Sequence, residues 1–300
     1  MLDVKIETFL AVCRNMSFTK AANELFITQP AVSQHIKYLE KYYGTKLFSY
    51  SGRKLSLTEQ GALLCRFFET IHHDTLRIEE MIKQIPTKKT LRLGATMSIG
   101  GFYLPDRLSR YMRSHPHLHI SLIIQDTKDL LNKLDNGEVD LALCEGYFNK
   151  AEYGSRCMQQ EEIICLCAKN YPIPNVICIE DLFEHRVILR ENGSGTREVL
   201  ERMLRAHGYE TEHFPNQCEV NNPHIILQLL LSGIGVSFLY RTVGEKLLKS
   251  GELKEIQIPD FRMEHEFNVV WNQNSVFTEQ YQQIMEELLS GEAAECRAMP

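Results

Sequence analysis

The side chains best suited to bind another molecule lie on one predicted helix near the amino terminus. Apolar residues recur at intervals of four, three and four along residues 32–43, which is the spacing of a buried helix face. The opposite face then presents amide, hydroxyl and ammonium groups to the solvent. A short helix with such a polar face can enter the major groove of a DNA duplex.

Each polar side chain of this region suits a particular contact with DNA. Gln29 can pair its amide with a base edge, and adenine is the natural bidentate partner. Lys37 suits a phosphate contact, which positions a protein without reading the base sequence. The predicted DNA-contacting residues are Ser17, Thr28, Gln29, Pro30, Ser33, Gln34, Lys37, Arg53 and Lys54. For any single one of them, the alternative is an ordinary solvated position on a protein surface.

A second group of residues suits the binding of a small anion. Gly193 and Gly195 let the backbone turn before a predicted helix, so that N–H groups can converge with the hydroxyls of Ser194 and Thr196. Polar residues that follow predicted strands or precede a helix extend the set. The predicted effector-binding residues are Thr96, Ser98, Gly193, Ser194, Gly195, Thr196 and Asn222. The alternative is that Ser194 and Thr196 only cap a helix, but a cap does not require two flanking glycines.

The elements around the first group predict a winged helix-turn-helix over residues 1–58. Helices are expected at 4–14, 17–25 and 28–43, with Ser17 and Thr28 as caps. Short extended runs at 46–48 and 55–57 predict a hairpin, or wing.

A long helix is expected from residue 58, within a linker segment at 59–90. Its apolar residues are spaced four, three, four, three, four and three apart, which predicts a heptad seam and therefore self-association. The seam comprises Leu64, Phe68, Ile71, Thr75, Ile78, Ile82 and Ile85. The alternative is a helix that packs on its own domain. Residues 86–90 are expected to form a hinge.

Beyond the hinge, strands alternate with helices, which predicts mainly parallel sheets with covered faces. The expected strands are 91–95, 119–124, 139–144, 163–168, 187–189, 235–239 and 267–271, and the expected helices are 101–112, 127–136, 195–207, 223–232 and 278–289. The chain is expected to cross between two sheets near residue 160 and to return near 265. This predicts a domain of two lobes around a cleft over 91–300, with one lobe at about 91–161 and 266–300 and the other at about 162–265. Residues 291–300 are expected to form a loose tail.

Charge and composition agree with this division. Residues 1–90 carry 13 Lys and Arg against 9 Asp and Glu, whereas residues 91–300 carry 20 Lys and Arg against 30 Asp and Glu. The N-terminal segment is therefore basic and the remainder acidic. Nine cysteines without a signal peptide predict reduced thiols in a cytoplasmic protein. The apolar runs are too short to span a membrane.

Metal and cofactor sites are not expected. The histidines at 115, 117 and 119 have no cysteine or carboxylate at zinc-site spacing. A redox role stays open for some of the cysteines, for example Cys144 or Cys218.

The N-terminal residues resemble the LysR-type transcriptional regulators, and the resemblance extends over essentially the whole chain. The matching positions are Phe9, Val12, the stretch 17–22, Leu25, the stretch 28–33, Ile36, Leu39, Glu40, Gly44, Leu47, Phe48, Arg53, Leu57, Thr58 and Gly61. The stretches 137–143, 190–197 and 230–236 are similar to that family's effector domain, which is like the periplasmic solute-binding proteins. Tyr50 departs from the family pattern, where an Arg is usual, and this puts one phosphate contact of the wing in doubt.

The resemblance implies a sequence-specific transcriptional regulator with an α+β multidomain fold and no enzymatic activity. It implies three binding partners: double-stranded DNA, a small anionic metabolite that binds between the lobes, and RNA polymerase, which the protein contacts transiently. The metabolite classes it suggests are carboxylates, phosphorylated sugars and sulfur species. A homodimer or homotetramer is implied as well. Two other functions stay open from the residues alone: an enzyme or redox switch that acts through cysteines, and a plain solute-binding protein.

Overall fold

The fold is taken from a computed structural model that describes residues 3–52, 54–83 and 90–289. The chain forms two compact units. The first comprises Met1–Thr87 with the short segments Asp135–Glu138 and Asn274–Thr278. The second comprises Lys88–Leu134, Val139–Gln273 and Glu279–Pro300.

The first unit has the predicted winged helix-turn-helix. Its elements are α1 (Val4–Asn15), α2 (Phe18–Glu24), α3 (Gln29–Tyr43), β1 (Phe48–Ser51), β2 (Lys54–Leu57) and α4 (Glu59–Lys83). Asp3, Ser17 and Thr28 cap the first three helices by accepting backbone N–H groups, as short polar side chains do at helix starts. Gly44 ends α3 in the left-handed conformation. The three helices and the hairpin enclose a core that includes Phe9, Val32, Ile36, Leu47 and Phe68.

The structure corrects the predicted heptad seam on α4. Phe68 is buried in the core of the first unit, and Leu64 and Ile71 pack against that core. The first half of the stripe therefore serves its own domain. Ile78 and Ile82 are 42% and 78% exposed. Apolar periodicity shows which face of a helix is covered but not by what. Ile85 and residues 86–89 of the predicted hinge lie outside the described residues.

The second unit is built on nine strands of the described residues. The strands are β3 (Thr90–Ala95), β4 (His119–Ile124), β5 (Leu141–Cys144), β6 (Gly154–Ala168), β7 (Val187–Leu189), β8 (Gln217–Glu219), β9 (Val236–Tyr240), β10 (Leu253–Ile256) and β11 (Met263–Trp271). The helices are α5 (Leu104–Ser114), α6 (Thr127–Asp135), α7 (Gly195–Ala206), α8 (Pro223–Leu231), α9 (Arg241–Ser250) and α10 (Thr278–Leu289). A π-helical turn, Ile99–Tyr103, leads into α5.

The expectation of mainly parallel, separate sheets was wrong. The strands form one paired path in the order β4-β3-β5-β11-β6-β9-β7-β8, and β10 joins β6. The pairs β3–β4, β3–β5, β7–β8 and β7–β9 are parallel, whereas β11 and β6 run antiparallel to their neighbours. The two long strands β6 and β11 pair along most of their length and join the two halves. Their pairing direction depends on distant chain segments, which local patterns do not report.

Three elements were not predicted, namely β8, α9 and β10. The predicted strand at 163–168 also starts nine residues earlier, because β6 begins at Gly154. That first part carries polar and half-buried residues rather than a clear apolar run. In the part of the chain that the structure describes, no helix is both long and apolar enough to cross a membrane. The predicted tail at 291–300 lies outside the described residues.

Candidate DNA-binding surface and effector site

The N-terminal end of α3 carries the predicted DNA-reading residues. Thr28 Oγ1 accepts the Ala31 N–H at 3.4 Å, and a proline stands in the first turn, where its missing N–H costs no helix hydrogen bond. Val32, Ile36 and Leu39 are buried as the periodicity predicted, whereas Tyr43, the last residue of the predicted stripe, is 43% exposed. The opposite face is therefore held outward by the core beneath it.

The polar side chains of α3 differ in their freedom. Gln29 Nε2 donates a hydrogen bond to Ser33 Oγ at 2.9 Å, so these two residues hold each other on one helix face. Pro30, Gln34 and Lys37 are exposed. Such a pair can present a fixed amide to a base edge at a reduced entropic cost.

The other predicted contacts lie on α2 and on the wing. Ser17 is half-buried and accepts the Lys20 N–H at 3.3 Å. Lys54 is exposed on β2, and Tyr50, which stands where the family usually has Arg, is 67% exposed on β1. Arg53 lies outside the described residues.

Sequence reasoning missed Phe26 in the turn between α2 and α3. Its side chain is 96% exposed, and its backbone has a φ of 55°, an uncommon conformation for a bulky residue. An aromatic side chain inside a predicted turn was the available signal. Because Phe26 lies two residues before the cap of α3, we add it to the candidate DNA contacts.

In the second unit, the predicted hydroxyls converge on a carboxylate that was not predicted. Ser98 Oγ donates to Glu145 Oε1 at 3.1 Å, and Thr196 Oγ1 donates to the same oxygen at 3.4 Å. Thr96, Ser98 and Thr196 are all buried. The structure thus brings together three of the predicted effector-binding residues around Glu145.

Glu145 follows β5 directly and is 1% exposed. Burial raises the pKa of its carboxyl to about 7, while the charge of Arg190 and the nearby hydroxyls of Ser98, Thr96 and Thr196 oppose that rise. Desolvation disfavours the charged form of an acid, whereas cations and hydrogen-bond donors favour it. A neutral and a charged Glu145 are therefore both accessible near neutral pH.

Three buried polar atoms around this carboxylate have no hydrogen-bond partner among the described residues, namely Glu145 Oε2, Arg190 Nη1 and the Tyr240 hydroxyl. Thr96 Oγ1 makes no hydrogen bond of normal geometry there either, although its hydroxyl lies close enough to lower the pKa of Glu145. Arg190 uses Nε and Nη2 on the two carboxylate oxygens of Glu191, both at 2.7 Å, which leaves Nη1. Arg190 and Glu145 both act electrostatically on Tyr240. Buried polar groups are normally satisfied, so these atoms are candidates for contact with a bound polar molecule.

Glu145, Arg190 and Tyr240 share a position that sequence reasoning could have used. Glu145 and Arg190 are the first residues after β5 and β7, and Tyr240 is the last residue of β9. Ligands of α/β sheets bind outside the carboxyl ends of the strands. Thr96 and Ser98 follow β3 in the same way, so the rule applies equally to the charged and aromatic residues at the ends of β5, β7 and β9.

The conformation of the loop before α7 shows why glycine is needed at positions 193 and 195. Ser194 Oγ accepts the Arg197 N–H at 3.2 Å and caps α7, as the alternative interpretation proposed. Gly193 has a φ of 93°, which a residue with a Cβ rarely adopts. A Cβ on Gly195 would lie 2.7 Å from Glu145 Cγ and 3.0 Å from Gly146 N. Gly195 therefore permits a close approach between this loop and Glu145.

Asn222 is placed differently from the other predicted effector residues. It is half-buried, and its Oδ1 accepts the His224 N–H at 2.9 Å, which caps α8. His224 stacks on Phe102 with ring centroids 4.4 Å apart. The cap accounts for the residue type, and a ligand contact stays a prediction.

Neither the metal nor the redox interpretation gains support. Within the described ranges, no group of three His, Cys, Asp or Glu side chains could hold a metal ion. Cys144 is buried and precedes Glu145, and burial raises the pKa of its thiol. A thiol that stays protonated is a poor nucleophile.

Comparison with known proteins assigns both units. Residues 4–62 match the bacterial regulatory helix-turn-helix domain of the lysR family, and residues 86–292 match the LysR substrate binding domain. The HTH-type transcriptional regulator CysL of Bacillus subtilis is 28% identical over 270 residues, which cover 88% of this chain and 89% of CysL. The uncharacterized HTH-type transcriptional regulator YeiE of Escherichia coli K12 is 30% identical over 256 residues, which cover 85% of this chain and 86% of YeiE.

Solved structures agree on the fold. A full-length OxyR variant from Pseudomonas aeruginosa aligns with a TM-score of 0.58 at 19% identity and covers 96% of this chain and 99% of its own. Full-length BenM aligns with a TM-score of 0.57 at 21% identity and covers 100% of this chain and 99% of its own. With both domains matched in order, the chain belongs to the LysR family and is a DNA-binding transcriptional regulator, not an enzyme, with an effector-binding domain behind its helix-turn-helix.

Proposed function

We propose that this regulator binds a small anion at the cluster formed by Thr96, Ser98, Glu145, Arg190 and Tyr240. The supporting observation is that Thr96 Oγ1, Arg190 Nη1 and the Tyr240 hydroxyl are buried donors without partners among the described residues. The start of α7 lies at the same place and adds the positive end of a helix, which favours negative charge. A carboxylate, a phosphorylated sugar or a sulfur oxyanion has the acceptors that such donors require.

Removal of the Thr96 hydroxyl tests this site with little risk to the fold. In the ligand-free protein that hydroxyl has no partner among the described residues, so we expect Thr96→Val to leave the unfolding temperature unchanged or slightly raised. If the hydroxyl donates to a bound anion, affinity should fall roughly tenfold or more, because hydrogen bonds to charged groups contribute about 1.5–3 kcal/mol. The measurement is a thermal-shift screen of sulfate, nitrate, acetate, pyruvate, phosphate and ribose 5-phosphate, followed by calorimetry.

The matched control is Thr242→Val, at the start of α9 and outside the cluster. Ser98→Ala and Thr196→Ala extend the test to the hydroxyls that now bind Glu145. Stabilisation by an anion that survives Thr96→Val, Ser98→Ala and Thr196→Ala alike would place the ligand elsewhere.

We further propose that α3 reads DNA through Gln29. Replacement of Gln29 by alanine removes an amide that Ser33 holds in place and should cost about 1–3 kcal/mol at one base pair of the operator. Lys37→Ala should instead weaken all sequences and reduce the salt dependence of binding. Fluorescence anisotropy with the fragment upstream of the protein's own reading frame, and with a scrambled fragment, measures both. Equal losses on both fragments for Gln29→Ala would rule out base reading.

Regulation is proposed to act in the cytoplasm through a population shift in an oligomer. An anion that binds one arrangement of the effector domain better than another changes the balance between them. Of the predicted heptad seam, Ile78 and Ile82 stay exposed on α4, and we propose that they meet a second copy of the chain. Pairing into tetramers and contact with RNA polymerase stay predictions.

A further inference from the structure

We propose that the effector anion binds together with one proton, which Glu145 takes up and holds while the site is occupied. The inference rests on the proposed anion site and names its regulation: the regulator senses the anion more strongly as the pH falls. Glu145 is then the residue that couples the two signals. Four observations on the same group of residues support it.

The first observation is that Glu145 occupies the donors that an anion needs. Ser98 Oγ and Thr196 Oγ1 both donate to Glu145 Oε1, at 3.1 and 3.4 Å. A hydroxyl has a single hydrogen, so neither group can donate to a ligand while it donates to the carboxylate. Protonation of Glu145 lowers its demand for these donors and turns one acceptor into a donor.

The second observation is that Glu145 cannot move away from an incoming anion. Its side chain is 1% exposed and packs against the glycine loop so closely that a Cβ on Gly195 would lie 2.7 Å from its Cγ. Two negative charges in one desolvated site repel each other strongly. Neutralisation in place is therefore the available way to admit an anion.

The third observation concerns the cation of the cluster. Arg190 faces Glu145 from the end of β7, but its Nε and Nη2 already bind both carboxylate oxygens of Glu191. Its Nη1 has no partner among the described residues. One guanidinium cannot balance Glu191, a charged Glu145 and a bound anion together, so the charge balance also favours a neutral Glu145.

The fourth observation is that the other titratable neighbours are poor candidates for the proton. Tyr240 and Cys144 keep their protons, because burial raises the pKa of each. Burial lowers the pKa of His265 on β11, although a hydrogen bond to the backbone of Glu145 opposes this. Tyr147 lies against His265, with ring centroids 4.7 Å apart, and the Arg202 guanidinium of α7 lies over the Tyr147 ring. Burial also raises the pKa of Asp126, which interacts with Glu191 and Arg190. The hydroxyls of Ser98 and Thr196 converge on Glu145 and not on Asp126, so Glu145 is the proposed proton acceptor.

Calorimetry counts the proton directly. Sulfate, nitrate and acetate stay ionised above pH 6.5, so protons taken up on binding come to the protein and not to the ligand. Titration of the full chain with sulfate at pH 8, in two buffers of different ionisation enthalpy, should show uptake of about one proton per anion. The dissociation constant should rise about tenfold per pH unit between pH 7.5 and 8.5. Below pH 6 it should no longer depend on pH. If sulfate does not bind, nitrate and then acetate take its place.

Glu145→Gln separates the proton from the shape of the side chain. Glutamine resembles protonated glutamic acid, with one carbonyl oxygen for the hydroxyls and one donor for the anion. We expect its proton uptake to fall to zero and its affinity at pH 8 to exceed that of the wild type by about tenfold. Glu161→Gln is the matched control, because Glu161 is also buried but accepts the Thr242 N–H instead. It should keep the wild-type proton uptake.

Each outcome supports or overturns the inference. Anion binding without proton uptake by the wild type overturns the inference and leaves the anion site standing. Proton uptake that persists in Glu145→Gln assigns the proton to another group and also overturns it. If none of the six anions of the thermal-shift screen binds, the proposed site itself is wrong, and the inference falls with it. The wild-type measurement stands alone if a variant fails to fold.

Discussion

Replacement of Glu145 by glutamine is expected to stabilise the ligand-free protein by about 3 kcal/mol at pH 8 and to leave its stability almost unchanged at pH 4.5 or below. The pKa of Glu145 is raised from 4.5 in the unfolded chain to about 7 in the folded one. Below both values the residue is protonated in either state and costs nothing. Between about pH 4.5 and 7 the unfolded chain releases this proton while the folded protein keeps it, so the wild type loses stability over that window. Above pH 7 the folded carboxyl ionises as well, and the loss reaches its full value, whereas the neutral variant loses nothing.

Urea unfolding followed by tryptophan fluorescence measures this difference within the right unit. The chain has one tryptophan, Trp271, which is buried at the end of β11 in the second unit. The control is Glu264→Gln on the exposed side of the same strand, which should give equal stability at both pH values. A stability gain for Glu145→Gln that is the same at pH 4.5 and pH 8 would show that Glu145 does not titrate as described.

Gly61→Ala is expected to destabilise the DNA-binding unit by about 3 kcal/mol or more, which is the upper range for a forced contact in a packed core. A Cβ on Gly61 would lie 2.0 Å from the Leu47 carbonyl oxygen and 2.9 Å from its carbon. That carbonyl cannot yield freely, because it accepts the Thr58 N–H at 3.0 Å and so joins the wing to α4. The Gly61 N–H in turn binds Thr58 Oγ1 at 2.9 Å. The added methyl group must therefore separate the start of α4 from the wing.

Two signals distinguish this local effect from a general one. Circular dichroism should show early loss of helix in Gly61→Ala, and anisotropy should show loss of DNA binding. The Trp271 transition should stay close to that of the wild type, since it reports the second unit. Gln60→Ala, one residue away and exposed, should change neither signal. Normal DNA affinity and helix stability in Gly61→Ala would mean that the contact is not as tight as described.

Sequence patterns predicted the DNA-binding unit well because the residues that determine its helices lie close to them in the chain. Caps at Ser17 and Thr28, the proline in the first turn of α3 and the stripe from Val32 to Leu39 each lie within a few residues of what they control. Exposure of Gln34 and Lys37 follows from the same periodicity. The conformation of Phe26 was not predicted, since an exposed aromatic residue in a turn has no periodic signature.

The effector site was predicted only in part, because its members come from four strand ends. The loop from Gly193 to Thr196 could be found from its own composition. Glu145, Arg190 and Tyr240 are far apart in the chain. The parallel pairings place Glu145 with Thr96 at the ends of β5 and β3, and Arg190 with Tyr240 at the ends of β7 and β9, while β6 and β11 join the two halves. The position after a strand marks each of these residues as a candidate, but it does not show which of them contact one another.

The amino-acid sequence by itself determined the family, the winged helix-turn-helix and the helix face that meets DNA, because amphipathic spacing and capping act over one or two helical turns. The tertiary structure alone decided the direction of β6 and β11, the cover over the first half of the α4 stripe, and the enclosure of Glu145 by Ser98, Thr196 and Arg190. These features depend on which segments, far apart in the chain, pack together and so bury one another. Burial of that kind shifts a proton equilibrium, and residue types alone do not report it.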